Sequence, residues 1–309
     1  MTVLITGGAG FIGSNLAERL VQRGHEVRVL DDLSTGRQEN LEGLDLDFRK
    51  GTLLDEAEVD AAVRGVDAIV HLAAIGSVPR SVAFPRASHD ANATGTLNVL
   101  EAARAHGGPQ VVVASSSSVY GSNPALPKSE QQWTRPMSPY AVSKLTTEAY
   151  TIAYQASYGL PTLAARFFNV YGPRQDADHP YAAVIPRFIS AALAGRAIEV
   201  HGDGEQTRDF TFVGTVCDAL IRSVEDRMTS PSPINFALGT NTSLMSLIEV
   251  LEAVTGRAIR VEHVEPRVGD VRDSQADGIL FRETFPGIDE TPLEEGLRRT
   301  VAWFEEKSA

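Results

Sequence analysis

The chain has 309 residues, 43% hydrophobic and 22% charged, enough for one large or two medium domains and too apolar for a disordered polymer. Its 28 basic and 40 acidic side chains leave a net charge of −12, which argues against general affinity for nucleic acid or an anionic membrane surface. The single cysteine, Cys217, excludes an internal disulfide framework and a cysteine-based metal cluster. No run of about 18 apolar residues occurs, and no basic stretch with an apolar core opens the chain, so a soluble, cytoplasmic, metal-free protein is expected.

Short apolar runs at 3–5, 27–30, 68–71, 111–114 and 162–167 read as strands. Between the first two, Ile12, Leu16, Leu20 and Val21 recur at helical spacing and Gly24 ends the segment. Residues 88–105 and 140–158 read as two longer helices. This alternation predicts an α/β fold built on a parallel, doubly wound sheet with buried strands. After Gly172 prolines interrupt the pattern and the segments shorten. Residues 1–172 are therefore expected to form a cofactor domain to which 210–237 return as one helix and one strand. Residues 173–209 and 238–309 would form a smaller mixed α/β substrate domain, ending in a helix near 293–304.

Gly7-Gly8-Ala9-Gly10-Phe11-Ile12-Gly13 lies between the first strand and the first helix. Glycines there let backbone N–H groups approach a pyrophosphate at a positive helix terminus. Asp31 follows at the end of the second strand, where a carboxylate holds the adenosine ribose hydroxyls and repels a 2′-phosphate. A dinucleotide site favouring NAD over NADP is expected. Tyr140 and Lys144 are four apart, on one helix face, and Ser116 stands at the end of the preceding strand. A tyrosine of ordinary pKa near 10 needs about three units of help, or ~4 kcal/mol, to act as a base at neutral pH. A neighbouring ammonium and a positive nicotinamide supply it, while a serine holds the substrate oxygen.

With these residues the chain resembles the extended short-chain dehydrogenase/reductase superfamily, in its nucleotide-sugar epimerase/dehydratase branch. The likeness rests on the glycine loop, His71-Leu72-Ala73-Ala74, Ser116 to Gly121, Ser138-Pro139-Tyr140 to Lys144, Arg166 to Pro173, and Gly202 to Phe210. It implies a Rossmann-type cofactor domain, NAD retained through the cycle, and a homodimer formed through the two long helices as a four-helix bundle. The implied cofactor contacts are Gly7, Gly10, Phe11, Ile12, Gly13, Asp31, Asp32, Leu33, Ser34 and Gly36. They continue with Thr52, Leu53, Leu72, Ala73, Ala74, Asn92, Ala114, Ser115, Tyr140, Lys144 and Phe167. Thr52 stands where the family usually places an aspartate that accepts from the adenine amino group, so a looser hold on NAD is expected.

The family's substrates are nucleoside-diphosphate sugars, most often UDP-linked. The resemblance implies that Asn169, Arg208 and Arg267 meet the diphosphate, that Asp270 accepts from the uridine ribose, and that Ala183, Val184, Val200 and His201 lie near the uracil. The sugar would meet Gly76, Ser77, Ser116, Ser117, Tyr140 and Ser274. Dehydratase and decarboxylase members typically carry an acid directly after the triad hydroxyl residue; here Ser117 and Ser118 occupy those positions, which favours C4 epimerisation. Gly76-Ser77-Val78-Pro79-Arg80-Ser81 and Tyr181 to Pro186 are similar to the subgroup acting on N-acetylated sugars, the UDP-N-acetylglucosamine 4-epimerases. Ser274 replaces the bulky tyrosine that excludes an acetamide in glucose-restricted relatives. UDP-GlcNAc/UDP-GalNAc interconversion is expected, with UDP-glucose/UDP-galactose also accepted. Three alternatives stand beside it: a dehydratase drawing its acid from elsewhere, such as Glu130; a UDP-uronate epimerase, with Arg80 either as carboxylate partner or merely fixing its loop; and a non-catalytic NAD-binding sensor.

Overall fold

The protein is described from a computed structural model, which covers residues 1–177, 182–265 and 272–308. It forms two units. The first comprises Met1–Pro124, Glu130–Phe167 and Cys217–Phe236, and the second Ala125–Ser129, Phe168–Val216 and Ala237–Ala309.

The first unit begins β1 (Thr2–Thr6), α1 (Phe11–Gln22), β2 (Glu26–Asp31), β3 (Asp47–Lys50), α2 (Glu56–Val63) and β4 (Ala68–His71). It continues with α3 (Val78–Ala83), α4 (Pro85–His89), α5 (Gly95–Ala105), β5 (Gln110–Ser116), α6 (Pro139–Tyr158) and β6 (Thr162–Phe167). Its sheet is parallel throughout, in the order β6-β5-β4-β1-β2-β3. Val3, Leu4, Ile5, Ile69, Val70 and Val111 to Val113 are fully buried, as strands covered on both faces require. The order reverses at β1 and β4, so the crevice beyond their carboxyl ends is the switch point where such sheets take ligands.

Two features were not legible in the hydrophobic pattern. β3, Asp47-Phe48-Arg49-Lys50, is a charged edge strand; Asp47 accepts from Arg28 Nε at 2.9 Å and Arg49 Nη2 at 2.9 Å, and such charge suits an edge. The expected helix over 88–105 is broken into α4, a π-helical turn at Asp90–Thr94, and α5. The wide turn directs the Asn92 carbonyl to two threonine hydroxyls, Thr96 Oγ1 at 2.5 Å and Thr147 Oγ1 at 3.0 Å.

Beyond β6 the elements shorten: β7 (Val170–Tyr171), α7 (Val184–Leu193), β8 (Ile198–His201), β9 (Thr207–Arg208) and β10 (Thr211–Phe212). Then come α8 (Val213–Glu225) and β11 (Ile234–Phe236), which pairs in parallel with β6 as the seventh strand of the sheet. The chain closes with β12 (Thr242–Ser243), α9 (Leu244–Thr255), β13 (Val261–Val264), β14 (Asp273–Ser274), α10 (Ile279–Thr284) and α11 (Leu293–Ser308). In the second unit β10 pairs with β7, β13 with β8, and β9 lies between β12 and β14. Among the described residues no helix is long and apolar enough to cross a membrane.

Candidate active site

The turn after β1 is shaped by steric necessity. Gly7 has φ 71°, and a Cβ there would stand 2.7 Å from the Ala73 backbone. A Cβ on Gly13 would lie 2.7 Å from Gly8 Cα and closer still to the Gly7 carbonyl. Gly10 caps α1 without a side-chain bond, and no acidic residue sits in the first turn. The N–H groups of Phe11, Ile12 and Gly13 thus lie at the positive end of a 12-residue helix. Asp31 is 7% exposed; Oδ2 accepts from Ala9 N at 2.9 Å and Oδ1 from Leu33 N at 2.8 Å. Burial raises its pKa, while these two backbone bonds oppose the rise. Leu33 adopts φ 61°, Ser34 N is held by Asp32, and a Cβ on Gly36 would approach Asp31 Oδ1 at 3.0 Å. Thr52 N donates to Glu58, and the Leu53 carbonyl takes Asn98 Nδ2 at 2.8 Å. Leu72 N and Ala73 N both reach Thr6. A glycine cradle at an uncapped helix terminus, with a carboxylate at the next strand end, fits a dinucleotide.

On the other side of the switch point, α6 is started by Ser138, whose hydroxyl accepts from Ala141 N at 3.1 Å, with Pro139 at the first turn, and stopped by Gly159 at φ 68°. That start sets Tyr140 in the first turn and Lys144 one turn on. Lys144 is buried, its Nζ donates to the Ala114 carbonyl at 2.8 Å, and burial lowers its pKa to about 8. Burial raises the Tyr140 phenol, and a hydrogen bond with Ser116 draws it back. Ser116 Oγ accepts from Ser118 N at 3.2 Å and Ser118 Oγ at 3.0 Å, which turns its own proton outward. The structure therefore brings Ser116, Tyr140 and Lys144 together. Ser115, by contrast, turns its hydroxyl to Glu148 at 2.8 Å, and Phe167 packs on Phe236 with ring centroids 5.8 Å apart. Asn92 Nδ2 bonds Ser143 Oγ at 2.9 Å, and its Oδ1 takes Ile75 N at 2.7 Å. Ser77 caps α3, its oxygen accepting from Arg80 N, and Gly76 has open space where a Cβ would stand. Ser117 opens the helical turn that follows β5.

The second unit holds an open cavity of about 270 Å³ lined by Asn169, Tyr171, Gln175, Ala183, Val184, Glu199, His201, Gln206 and Arg208, among others. Asn169, at φ 31°, fixes its amide to the Asp209 carbonyl at 3.2 Å and keeps a second N–H to offer. Ala183 caps α7 without a side-chain bond, so the N–H groups of that helix end open on the cavity wall. Arg208 Nη1 donates to the carbonyls of Thr207 and Arg272 at 2.8 and 3.1 Å. Val200 is fully buried, and strand alternation turns Glu199 and His201 to the cavity instead. Ser274 stands beside Arg208 in the β9–β14 register. Arg267, Asp270 and Tyr181 lie outside the described residues.

Reading the sequence missed Asp209. Fully buried, it gathers Gly239 N (3.0 Å), Ala276 N (3.1 Å) and Thr240 Oγ1 (2.8 Å), tying the 237–240 loop and the end of β14 beside Arg208. Three donors in distant segments leave no local pattern. Ser118 was legible only as a position lacking an acid; its contact with Ser116 follows from a turn that three-dimensional structure displays.

Residues 3–239 match the NAD dependent epimerase/dehydratase family. The chain is 40% identical to UDP-glucose 4-epimerase of Mycolicibacterium smegmatis, across 100% of both chains. It is 34% identical to UDP-N-acetyl-alpha-D-glucosaminuronate decarboxylase of Bacillus cytotoxicus, across 98% of this chain and 97% of that one. Among solved structures it is similar to UDP-N-acetylglucosamine 4-epimerase from Methanobrevibacter ruminantium M1 in complex with UDP-N-acetylmuramic acid, with a TM-score of 0.94, 40% identity and coverage of 99% and 98%. The UDP-glucose 4-epimerase of Thermus thermophilus in complex with NAD gives a TM-score of 0.89 at 36% identity and 99% coverage of both. The cofactor is NAD, and the cradle from Gly7 to Gly13 with Asp31 suits it. The chain is an enzyme of the NAD dependent epimerase/dehydratase family.

Proposed function

We propose that this enzyme inverts C4 of UDP-hexoses, converting UDP-GlcNAc and UDP-GalNAc into one another and also accepting UDP-glucose and UDP-galactose. The observation that carries it is that the residues directly after Ser116 are hydroxyls and not acids. Ser117 and Ser118 follow it, Ser118 is spent on Ser116 itself, and Glu130 Oε1 accepts from Asn235 N at 2.8 Å. An elimination needs a carboxylic group to move a second proton; C4 inversion needs only the triad and the cofactor. The relatives above include both 4-epimerases and a decarboxylase, so the choice rests on these residues.

In this reading Tyr140 takes the proton of the sugar 4-hydroxyl, Ser116 donates to the same oxygen, and the Lys144 ammonium stabilises the phenolate. Held by the Gly7–Gly13 cradle and Asp31, NAD would supply reversible hydride acceptance at C4 of the sugar. Arg208, Asn169 and the N–H groups at the start of α7 hold the UDP moiety by charge-assisted and backbone hydrogen bonds. Ser274 leaves room for an acetamide. A homodimer is part of the proposal: on α6, Val142 is exposed, Leu145 and Ile152 are half-buried and Ala149 and Ala156 exposed, a helical-period apolar stripe suited to a second copy. The deciding experiment incubates the purified protein with UDP-GlcNAc and follows the product by proton NMR. A C4-epimer mixture is expected; an unsaturated or 4-keto deoxy sugar, or no turnover of any UDP-sugar, refutes the reading.

A further inference from the structure

Tyr140, Lys144 and Glu148 stand at i, i+4 and i+8 on α6, and so share one face. Each grips the carboxyl end of β5. Tyr140 hydrogen-bonds with Ser116, Lys144 Nζ donates to the Ala114 carbonyl at 2.8 Å, and Glu148 Oε2 accepts from Ser115 Oγ at 2.8 Å. The third grip is reinforced from the next strand. Arg166 of β6 pairs in register with Ser115 and donates to Glu148 through Nε (2.9 Å to Oε2) and Nη2 (2.6 Å to Oε1). Its guanidinium lies 4.6 Å over the Tyr120 ring, whose hydroxyl reaches Asn235 Oδ1 on β11 at 2.8 Å. Glu148 is 4% exposed and Arg166 3%.

A buried ion pair is a weak device for stability, because desolvating two ions offsets most of their attraction and an apolar pair of the same volume often does as well. A two-pronged guanidinium–carboxylate contact is a strong device for geometry, since it fixes distance and plane together. Here it fixes β5, β6 and α6 at the level of Ser115, one residue from Ser116 and one turn from Lys144. We propose that Glu148 and Arg166 are positioning residues that set α6 against the end of β5 and thereby hold Ser116, Tyr140 and Lys144 in register for proton transfer. The proposal rests on the reading of Tyr140 as the base, and it adds residues that touch neither substrate nor cofactor.

Beside the pair stands Tyr120, under the Arg166 guanidinium, with Glu130 acting on Tyr120 in turn; on α6 itself Lys144 lies one turn from Glu148, and His71 on β4 feels the Lys144 charge. Glu148 and Arg166 cancel in charge. Removing only the carboxylate leaves a buried cation, which favours the Tyr140 phenolate and moves the rising limb of the kcat–pH profile to lower pH. Removing both charges restores neutrality but not the grip.

The test compares wild type, Glu148→Gln, the double variant Glu148→Met/Arg166→Met, and the mild Ser115→Ala, which leaves the ion pair in place. It measures kcat, KM for the UDP-sugar, the pH profile and UDP affinity by calorimetry. Expected for the double variant is a folded protein with UDP affinity within about twofold of wild type, kcat down about tenfold or more, and an unshifted pH limb. Glu148→Gln should lose a similar factor with the limb moved to lower pH, and Ser115→Ala should lose several-fold in kcat. Wild-type kcat in both the double variant and Ser115→Ala overturns the proposal. If the double variant does not fold, Glu148→Gln and Ser115→Ala decide together, wild-type kcat in both being the overturning result. Tyr140→Phe serves as the control: if it keeps turnover, the reading beneath the proposal falls first and the proposal with it.

Discussion

His71 offers the most quantitative handle on the molecule. It is 2% exposed, with Nδ1 2.7 Å from Thr6 Oγ1 and Nε2 3.0 Å from Thr96 Oγ1. Burial, aided by the nearby Lys144 charge, depresses its pKa from 6.5 to about 3. The folded state therefore refuses a proton that the unfolded chain accepts. Stability from this source is complete above pH 6.5, falls as pH drops below it, and is fully lost below about pH 3. The whole effect is about 5 kcal/mol, of which about 2 kcal/mol is gone by pH 5. Urea unfolding followed by circular dichroism at pH 7.5 and pH 5 measures it, with His71→Gln as the comparison that cannot titrate. The variant should start less stable at pH 7.5 yet lose about 2 kcal/mol less on going to pH 5. Equal losses in the two proteins would refute the assignment of a neutral, desolvated His71.

Three further outcomes follow from the site. Tyr140→Phe should cut turnover by at least about a hundredfold while UDP affinity, read by calorimetry, stays put. Ser274→Tyr should impair N-acetylated substrates at least about tenfold more than UDP-glucose in kcat/KM; equal losses on both would remove the size argument. Asp209→Asn turns one donor group toward backbone N–H groups that now meet an acceptor, and should cost about 1–3 kcal/mol in urea unfolding, with weakened UDP binding beside Arg208.

What could be read before the fold was seen depended on how local its cause is. The glycine turn, the buried strands from Val3 to Ile5 and Val111 to Val113, and the Tyr140–Lys144 spacing are written within a few residues, because turn sterics, strand burial and helix period act at that range. The charged edge strand β3 defied the hydrophobic pattern because only one side of it is covered. The π turn at Asp90–Thr94 is stabilised by Thr147, 55 residues from Asn92, and Glu148 meets Ser115 and Arg166 at separations of 33 and 18. Two-residue strands such as β9 and β14 carry no period at all. The second unit was accordingly foreseen as a region and not as a set of pairings, and Val200 shows the consequence: its neighbours, one residue either way, are the ones that face the cavity.

The distinction between inversion and elimination has a consequence that no substrate preference can blur. If Tyr140 handles only the hydroxyl proton, the hydrogen that leaves C4 is the one that comes back, and no carbon-bound hydrogen meets solvent. An elimination must instead release a proton from a carbon next to the ketone, which needs a carboxylate near Ser116. In this structure Ser117 and Ser118 stand there, and the Glu130 oxygen is held by Asn235 N at 2.8 Å. Turnover of UDP-GlcNAc in D2O should therefore give epimers whose C4 and C5 carry no deuterium, as measured by mass spectrometry and proton NMR after many turnovers. Deuterium at C5 would mean that some group in the site does abstract that proton, and would return the enzyme to the dehydratase side of its family.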